Sequence, residues 1–225
     1  MRDRMTKASR KAKEKEARRQ AIIDAAEKIM FSKGLENATM DEIAEEADLS
    51  KGTLYYYFKN KEDLYLAINN RGLENLNQRF ASVLTENRSG IELIRRLGEE
   101  FVNFVRAEPD YFDAMIHYEF TEEISRRDGE STHMKENCRD NGKQGFTYTI
   151  RALQVGMQDG SIDSKFSPER LAIQMWANMR GLTQIYLLKK KGHYPEIFGA
   201  VDTDQMFEDS MNLLVDGMKT DNGNT

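Results

Sequence analysis

Apolar positions fall at helical spacing along nearly the whole chain, and no stretch alternates as a strand would. Ile22, Ala26, Ile29 and Met30 recur at i, i+4, i+7 and i+8, which places them on one face and predicts a helix over residues 18–33. Gly34 supplies a left-handed stop. Thr39 and Glu42 form a T-x-x-E capping signal ahead of Ile43, Ala44 and Ala47, which predicts a second helix. Asp48 and Leu49 interrupt that pattern, and Ser50 is the N-cap expected for a short third helix over 51–58. Asn60 caps a fourth helix that runs to about Leu84, with Glu62 and Asp63 well placed in its first turn.

The rest of the chain keeps the same period. Ile94, Leu97, Phe101 and Phe104 make a stripe that ends before Pro109, and Phe112, Met115, Ile116 and Phe120 make a shorter one. A long segment over 132–158 stops at Asp159-Gly160, a turn signal. Ser167-Pro168 reads as an N-cap followed by proline at the first helical position. The helix it opens, 168–190, carries Leu171, Met175, Trp176, Met179, Leu182, Ile185 and Tyr186, and a last helix carries Phe207, Met211, Leu214 and Met218. The expected fold is therefore all-α. Residues 17–65 form an N-terminal three-helix helix-turn-helix domain, and the long fourth helix joins it to a larger helical domain over 66–225.

Charge sharpens this picture. Residues 1–20 hold nine lysines and arginines against three acids, a local net of +6, which leaves the remainder of a chain of net charge −5 at −11. A basic end on an acidic body suits a protein that meets a polyanion at one end. Taken alone, residues 1–16 also read as a basic, flexible, solvated extension. Hydrophobic residues at 39% and charged residues at 32% suit a helical protein with its own core. No apolar run is long enough to cross a membrane, and the basic N-terminus lacks the apolar stretch of a secretory signal. A single cysteine, Cys138, excludes an internal disulfide framework and fits a reducing compartment, so a cytoplasmic protein is expected.

Residues 50–61 read S-K-G-T-L-Y-Y-Y-F-K-N-K. Leu54 and Phe58, four apart, share an inward face with Tyr57 beside them. Lys51 with Tyr55, and Gly52 with Tyr56, lie on outer faces. A cation, a glycine and two phenols are poorly chosen for mere solvation. Lysine neutralises phosphate, phenol hydroxyls donate to phosphate oxygens, phenol rings touch thymine methyls, and glycine permits close approach to a duplex. Lys61 and the Thr39 hydroxyl are placed to grip the flanking backbone. In a helix-turn-helix, the second helix of the pair enters the major groove.

The stretch A-T-M-D-E-I-A-E-E-A-D-L-S-K-G-T-L-Y-Y-Y-F-K-N-K-E-D-L, residues 38–64, resembles the DNA-binding domain of the TetR family of transcriptional regulators, and the likeness extends over about 18–68. Asp48 stands where that family usually has glycine in the turn, and Asp tolerates left-handed geometry better than most residues. The resemblance implies DNA contacts at Thr39, Ser50, Lys51, Gly52, Thr53, Tyr55, Tyr56 and Lys61. It further implies a ligand-binding and dimerisation domain over 66–225 whose last two long helices pair with those of a second copy as a four-helix bundle.

The helix over 168–190 is apolar on more than one side, as a helix buried against its own domain and a second subunit would be. Leu171, Met175, Leu182, Tyr186, Phe207, Met211 and Leu214 are the expected dimer contacts. Met115, Tyr118, Phe146, Trp176 and Met179 are the expected lining of a small-molecule pocket for an apolar or aromatic ligand, though each also reads as ordinary core. The implied function is a repressor released from operator DNA by that ligand. Activation, or regulation without an inducer, is the alternative. His117, His133 and His193 lack metal-ligand spacing, and no nucleophile or phosphate-loop motif occurs, so neither catalysis, metal nor cofactor is expected.

Overall fold

A computed structural model of the chain describes residues 7–116 and 133–220. Its described residues contain helices and no strands. In chain order the helices are α1 (Lys7–Lys33), α2 (Met40–Glu46), α3 (Lys51–Tyr57), α4 (Lys61–Val83), α5 (Gly90–Ala107), α6 (residues 109–116), α7 (His133–Asp159), α8 (Pro168–Lys190), α9 (Pro195–Phe198) and α10 (Thr203–Met218). None is long and apolar enough to cross a membrane.

The punctuation read from the sequence governs the ends. Thr39 accepts from the Glu42 amide at 3.3 Å, and Glu42 accepts in return from the Thr39 amide at 3.1 Å, closing the capping box of α2. Ser50 caps α3 through the Thr53 amide at 3.2 Å, and Asn60 caps α4 through the Asp63 amide at 2.8 Å. Ser167 caps α8 just ahead of Pro168. Gly34 and Gly160 stop their helices with φ of 82° and 80°.

One boundary is corrected. The helix expected to start at residue 18 begins at Lys7, so much of the extension expected to be flexible is helical. Lysine, alanine, glutamate and arginine dominate 7–19 and favour helix without any apolar stripe. Side-chain pairs one turn apart, Arg10 to Glu14 at 2.9 Å and Gln20 to Glu16 at 2.7 Å, support it further. The expectation followed the hydrophobic period, which is silent here because residues 9–18 of α1 are all exposed and bury no apolar side chain.

The chain divides into two compact units. The first takes in residues up to Arg71 together with 114–138, and the second takes in 72–113 and the chain from Arg139 onward. The core of the first unit is built from Ile22, Ile23, Ala26, Ile43, Ala44, Leu54, Phe58, Leu64 and Ile68, all at most 2% exposed. Arg71 clamps α4 to α1 by reaching Asp24 at 2.7 Å and Glu27 at 2.9 Å. Cys138 is buried in this unit and donates its thiol to the Leu66 carbonyl at 3.3 Å.

In the second unit α5 packs on α10 and α10 on α8. Gly90 and Gly156 touch backbone to backbone: a Cβ on Gly90 would lie 1.9 Å from the Gly156 nitrogen. Around that contact Asp159 and Ser161 accept from the amides of Gly90 at 2.7 Å and Ile91 at 3.1 Å, so the turn after α7 caps the start of α5.

Candidate nucleic-acid interface

The turn between α2 and α3 is a Schellman motif closed without glycine. The Leu49 amide donates to the Ala44 carbonyl at 2.9 Å and the Asp48 amide to the Glu45 carbonyl at 3.0 Å, with Asp48 itself at φ 53°. The left-handed residue at this point is what aims α3 away from α2, and a short polar side chain meets the need.

On α3, Leu54 is fully buried and the following Phe58 is 1% exposed. Both point into the first unit's core, as their four-residue spacing requires. Tyr55 and Tyr56 are 49% and 71% exposed, and Lys51 and Gly52 are exposed as well. Tyr57 is half-buried, its ring 5.2 Å from that of Tyr56 in a T-shaped arrangement. The helix thus presents two phenols, a cation and a bare backbone position on one side. A Cβ at Gly52 would meet nothing within 4 Å, so nothing in the fold needs glycine there.

Several of these groups are held by neighbours. Lys51 Nζ lies 2.6 Å from Asp41 Oδ2, an exposed ion pair bridging the two helices of the motif. Lys61 Nζ donates to the Glu36 carbonyl at 3.0 Å, which fixes its position without neutralising its charge. Ser50 and Thr53 share a hydrogen bond of 2.8 Å between their hydroxyls. The Thr39 hydroxyl donates to Glu42 at 2.9 Å. Lys33 reaches the same carboxylate at 2.5 Å, and its hydrogen bond, followed by those from Thr39, holds the Glu42 carboxyl below its ordinary value. Thr39 thus serves its helix first, and gripping a phosphate requires it to redirect that proton.

Two residues at this surface escaped the sequence reading. Lys15 Nζ sits 5.6 Å from the centre of the Tyr56 ring, and the Arg19 guanidinium sits 5.3 Å from that of Phe58. The only sequence signal for them was the basic count of residues 1–20.

Met115 is buried in the first unit, whereas Phe146, Trp176 and Met179 belong to the second. Tyr118 lies outside the described residues. Trp176 is 39% exposed, its ring 5.7 Å from Phe146 and 5.1 Å from the Arg180 guanidinium, while Met179 faces inward and is buried. A cavity of about 510 Å³ between α5 and α10 is lined by Arg95, Glu99, Arg106, Asp204, Phe207 and Met211 among others, none of them expected in the pocket.

Leu171, Met175, Phe207 and Met211 are buried within the single chain, and Leu182, Tyr186 and Leu214 are partly covered. A sequence stripe shows that a helix face is apolar but not what covers it, and here α8 and α10 cover each other. Ile173 at 55% and Trp176 on α8, Leu213 at 76% on α10, and Tyr194 and Ile197 between these helices are among the large apolar side chains left exposed. A Ser210–Asn178 hydrogen bond of 2.6 Å ties α10 to α8. Among the described residues no group of three His, Cys, Asp or Glu side chains could hold a metal ion.

Comparison with known proteins bears on this motif directly. Residues 22–68 match the family model described as bacterial regulatory proteins, tetR family. The regulator TtgR of Pseudomonas putida is 26% identical over 189 residues, 80% of this chain and 84% of that protein. The transcriptional activator FasR of Mycolicibacterium smegmatis is 33% identical over 91 residues, 40% of this chain but only 42% of that one. Among solved structures, the fatty acid degradation regulator FadR of Bacillus halodurans shares the fold, with a TM-score of 0.68 at 18% identity over 88% of this chain and 94% of that one.

Proposed function

We propose that the chain is a DNA-binding transcriptional regulator of the TetR type, whose family model its residues 22–68 match, that it acts as a homodimer, reads its operator with α3 in the major groove, and leaves the DNA when a small, largely apolar or aromatic effector binds. The observation that carries the DNA reading is the outer face of α3. Two tyrosines stand exposed there beside Lys51, above a glycine that the fold does not require. Tyr55, Tyr56, Lys51, Gly52, Ser50, Thr53, Thr39 and Lys61 are the proposed contacts. The phosphate-directed hydroxyls and cations set the register, and the tyrosine rings touch base edges.

The dimer is proposed through Ile173 and Trp176 on α8 and Leu213 on α10, because large apolar side chains left exposed on a protein otherwise rich in surface charge point to an interface. A two-fold pair of recognition helices calls for an operator that is an imperfect palindrome.

For the effector, the supporting feature is Asn69 on α4. Its side chain is 1% exposed, and among the described residues neither its amide nitrogen nor its oxygen makes a hydrogen bond. A buried amide without partners costs about 1–3 kcal/mol, a cost that a ligand carrying one donor or acceptor would relieve. Helix α4 runs unbroken from Lys61, beside the recognition helix, to Val83 in the second unit, which suits it to carry an effector's influence to α3. Linkage then requires DNA to weaken effector binding by the same factor that effector weakens DNA binding. The experiment is a gel-shift titration of Tyr56→Phe against the parent protein. Loss of one phosphate-directed hydroxyl should weaken binding by about 1–2 kcal/mol, alike on all sequences. Unchanged affinity would remove α3's outer face from the interface.

A further inference from the structure

The N-terminal half of α1 lies outside every role assigned so far, although it is the most basic part of the chain. Lys11, Lys15 and Arg18 are spaced i, i+4 and i+7, so they form one stripe along the helix. All three are exposed, and none is in an ion pair among the described residues. The acids nearby are engaged elsewhere: Glu14 by Arg10 at 2.9 Å, and Glu16 by Gln20 at 2.7 Å and Arg19 at 3.8 Å. The stripe therefore carries three uncompensated positive charges.

Its position is fixed by two contacts with α3. Arg19 rests on Phe58, and one turn earlier Lys15 rests on Tyr56, the most exposed ring of the recognition helix. The stripe is thus continuous with the outer face of α3, and Lys11 extends it beyond. From Lys11 to Arg18 it covers about 10 Å at 1.5 Å per residue, roughly three base-pair steps of duplex.

We propose that this part of α1 is a second DNA-contacting element, in which Lys11, Lys15 and Arg18 bind phosphates flanking the bases read by α3. The inference rests on the DNA-binding reading above and adds a separate surface to it. The contact is with phosphate alone, so it strengthens binding to every duplex equally and sets no sequence preference. Lys15 has a double role: it stacks on the Tyr56 ring while its charge meets the backbone beside it.

The test is the full-length triple variant Lys11→Ala, Lys15→Ala, Arg18→Ala, with Lys13→Ala as a control on the opposite side of the helix. Alanine preserves helix, and circular dichroism checks this directly. Affinity for the selected operator and for a random duplex is measured across salt concentrations. The logarithmic salt slope should fall by about 5, since each phosphate contact contributes about 0.9 and the two protomers of the dimer each lose three. Affinity should drop by the same factor on both duplexes, while Lys13→Ala moves the slope by less than one unit. A slope unchanged in the triple variant overturns the proposal. If Tyr56→Phe still weakens binding in that case, the α3 reading stands and only the α1 element falls. If neither variant alters binding, both fall.

Discussion

The ammonium of Lys51 lies 2.6 Å from the carboxylate of Asp41, so the free protein holds its recognition-helix lysine in an ion pair across the helix-turn-helix. Both side chains are more than half exposed, and such pairs contribute about 0–1 kcal/mol to stability. The pair therefore competes with phosphate for Lys51, and Asp41 places a negative charge beside the DNA. Asp41→Asn should strengthen operator binding several-fold at low salt, with the gain shrinking as salt rises. Fluorescence anisotropy at two salt concentrations checks this. Weaker binding by the variant would mean that Asp41 serves to position Lys51 and does not compete for it.

Gly52 offers a test in which stability and function move in opposite directions. Alanine at this helical, unobstructed position should stabilise the fold by up to about 1 kcal/mol. If the glycine is there to let the duplex approach, the same substitution should weaken DNA binding. Thermal melting and a binding titration on Gly52→Ala read the two effects separately. A variant that is more stable and binds equally well would assign Gly52 no part in the interface.

Asn69→Leu replaces the unpartnered amide with an apolar side chain of similar size. Removing both unmet groups should raise the melting temperature, since about 1–3 kcal/mol of desolvation is relieved. DNA affinity without effector should persist. A fall in stability would show that the amide is satisfied in solution.

The buried and exposed apolar residues of α8 and α10 make opposite predictions. Ile173→Glu with Leu213→Glu should leave the helical content intact and shift sedimentation from dimer to monomer, because both side chains face outward. Met211→Glu should unfold the second unit, because Met211 is 6% exposed and its methyl fills the space over Gly98. A double variant that remains dimeric would place the interface elsewhere.

How much of this was legible in the sequence depends on the reach of the signal. Thr39 and Glu42, Ser50, Asn60 and Ser167-Pro168 announce their helix ends because a cap is a local bond between residues two or three apart. The division of α3 into buried Leu54 and Phe58 and exposed Tyr55 and Tyr56 follows from helical spacing alone. The start of α1 at Lys7 was hidden because a charged helix leaves no hydrophobic period. What covers Leu171 or Met211 was hidden as well: periodicity identifies an apolar face, while the choice between a neighbouring helix and a second subunit depends on contacts distant in sequence. Lys15 over Tyr56 and the unpaired Asn69 arise only in three dimensions.

The central claim, that two copies of α3 read operator DNA, is tested most directly by selecting from a random duplex pool with the full-length protein and sequencing what it retains. The account predicts enrichment of an imperfect palindrome whose half-sites are centred about one helical turn apart, roughly 34–36 Å, or somewhat more. Retention of an asymmetric single half-site would contradict the dimeric arrangement, and failure to enrich any sequence would contradict the claim itself.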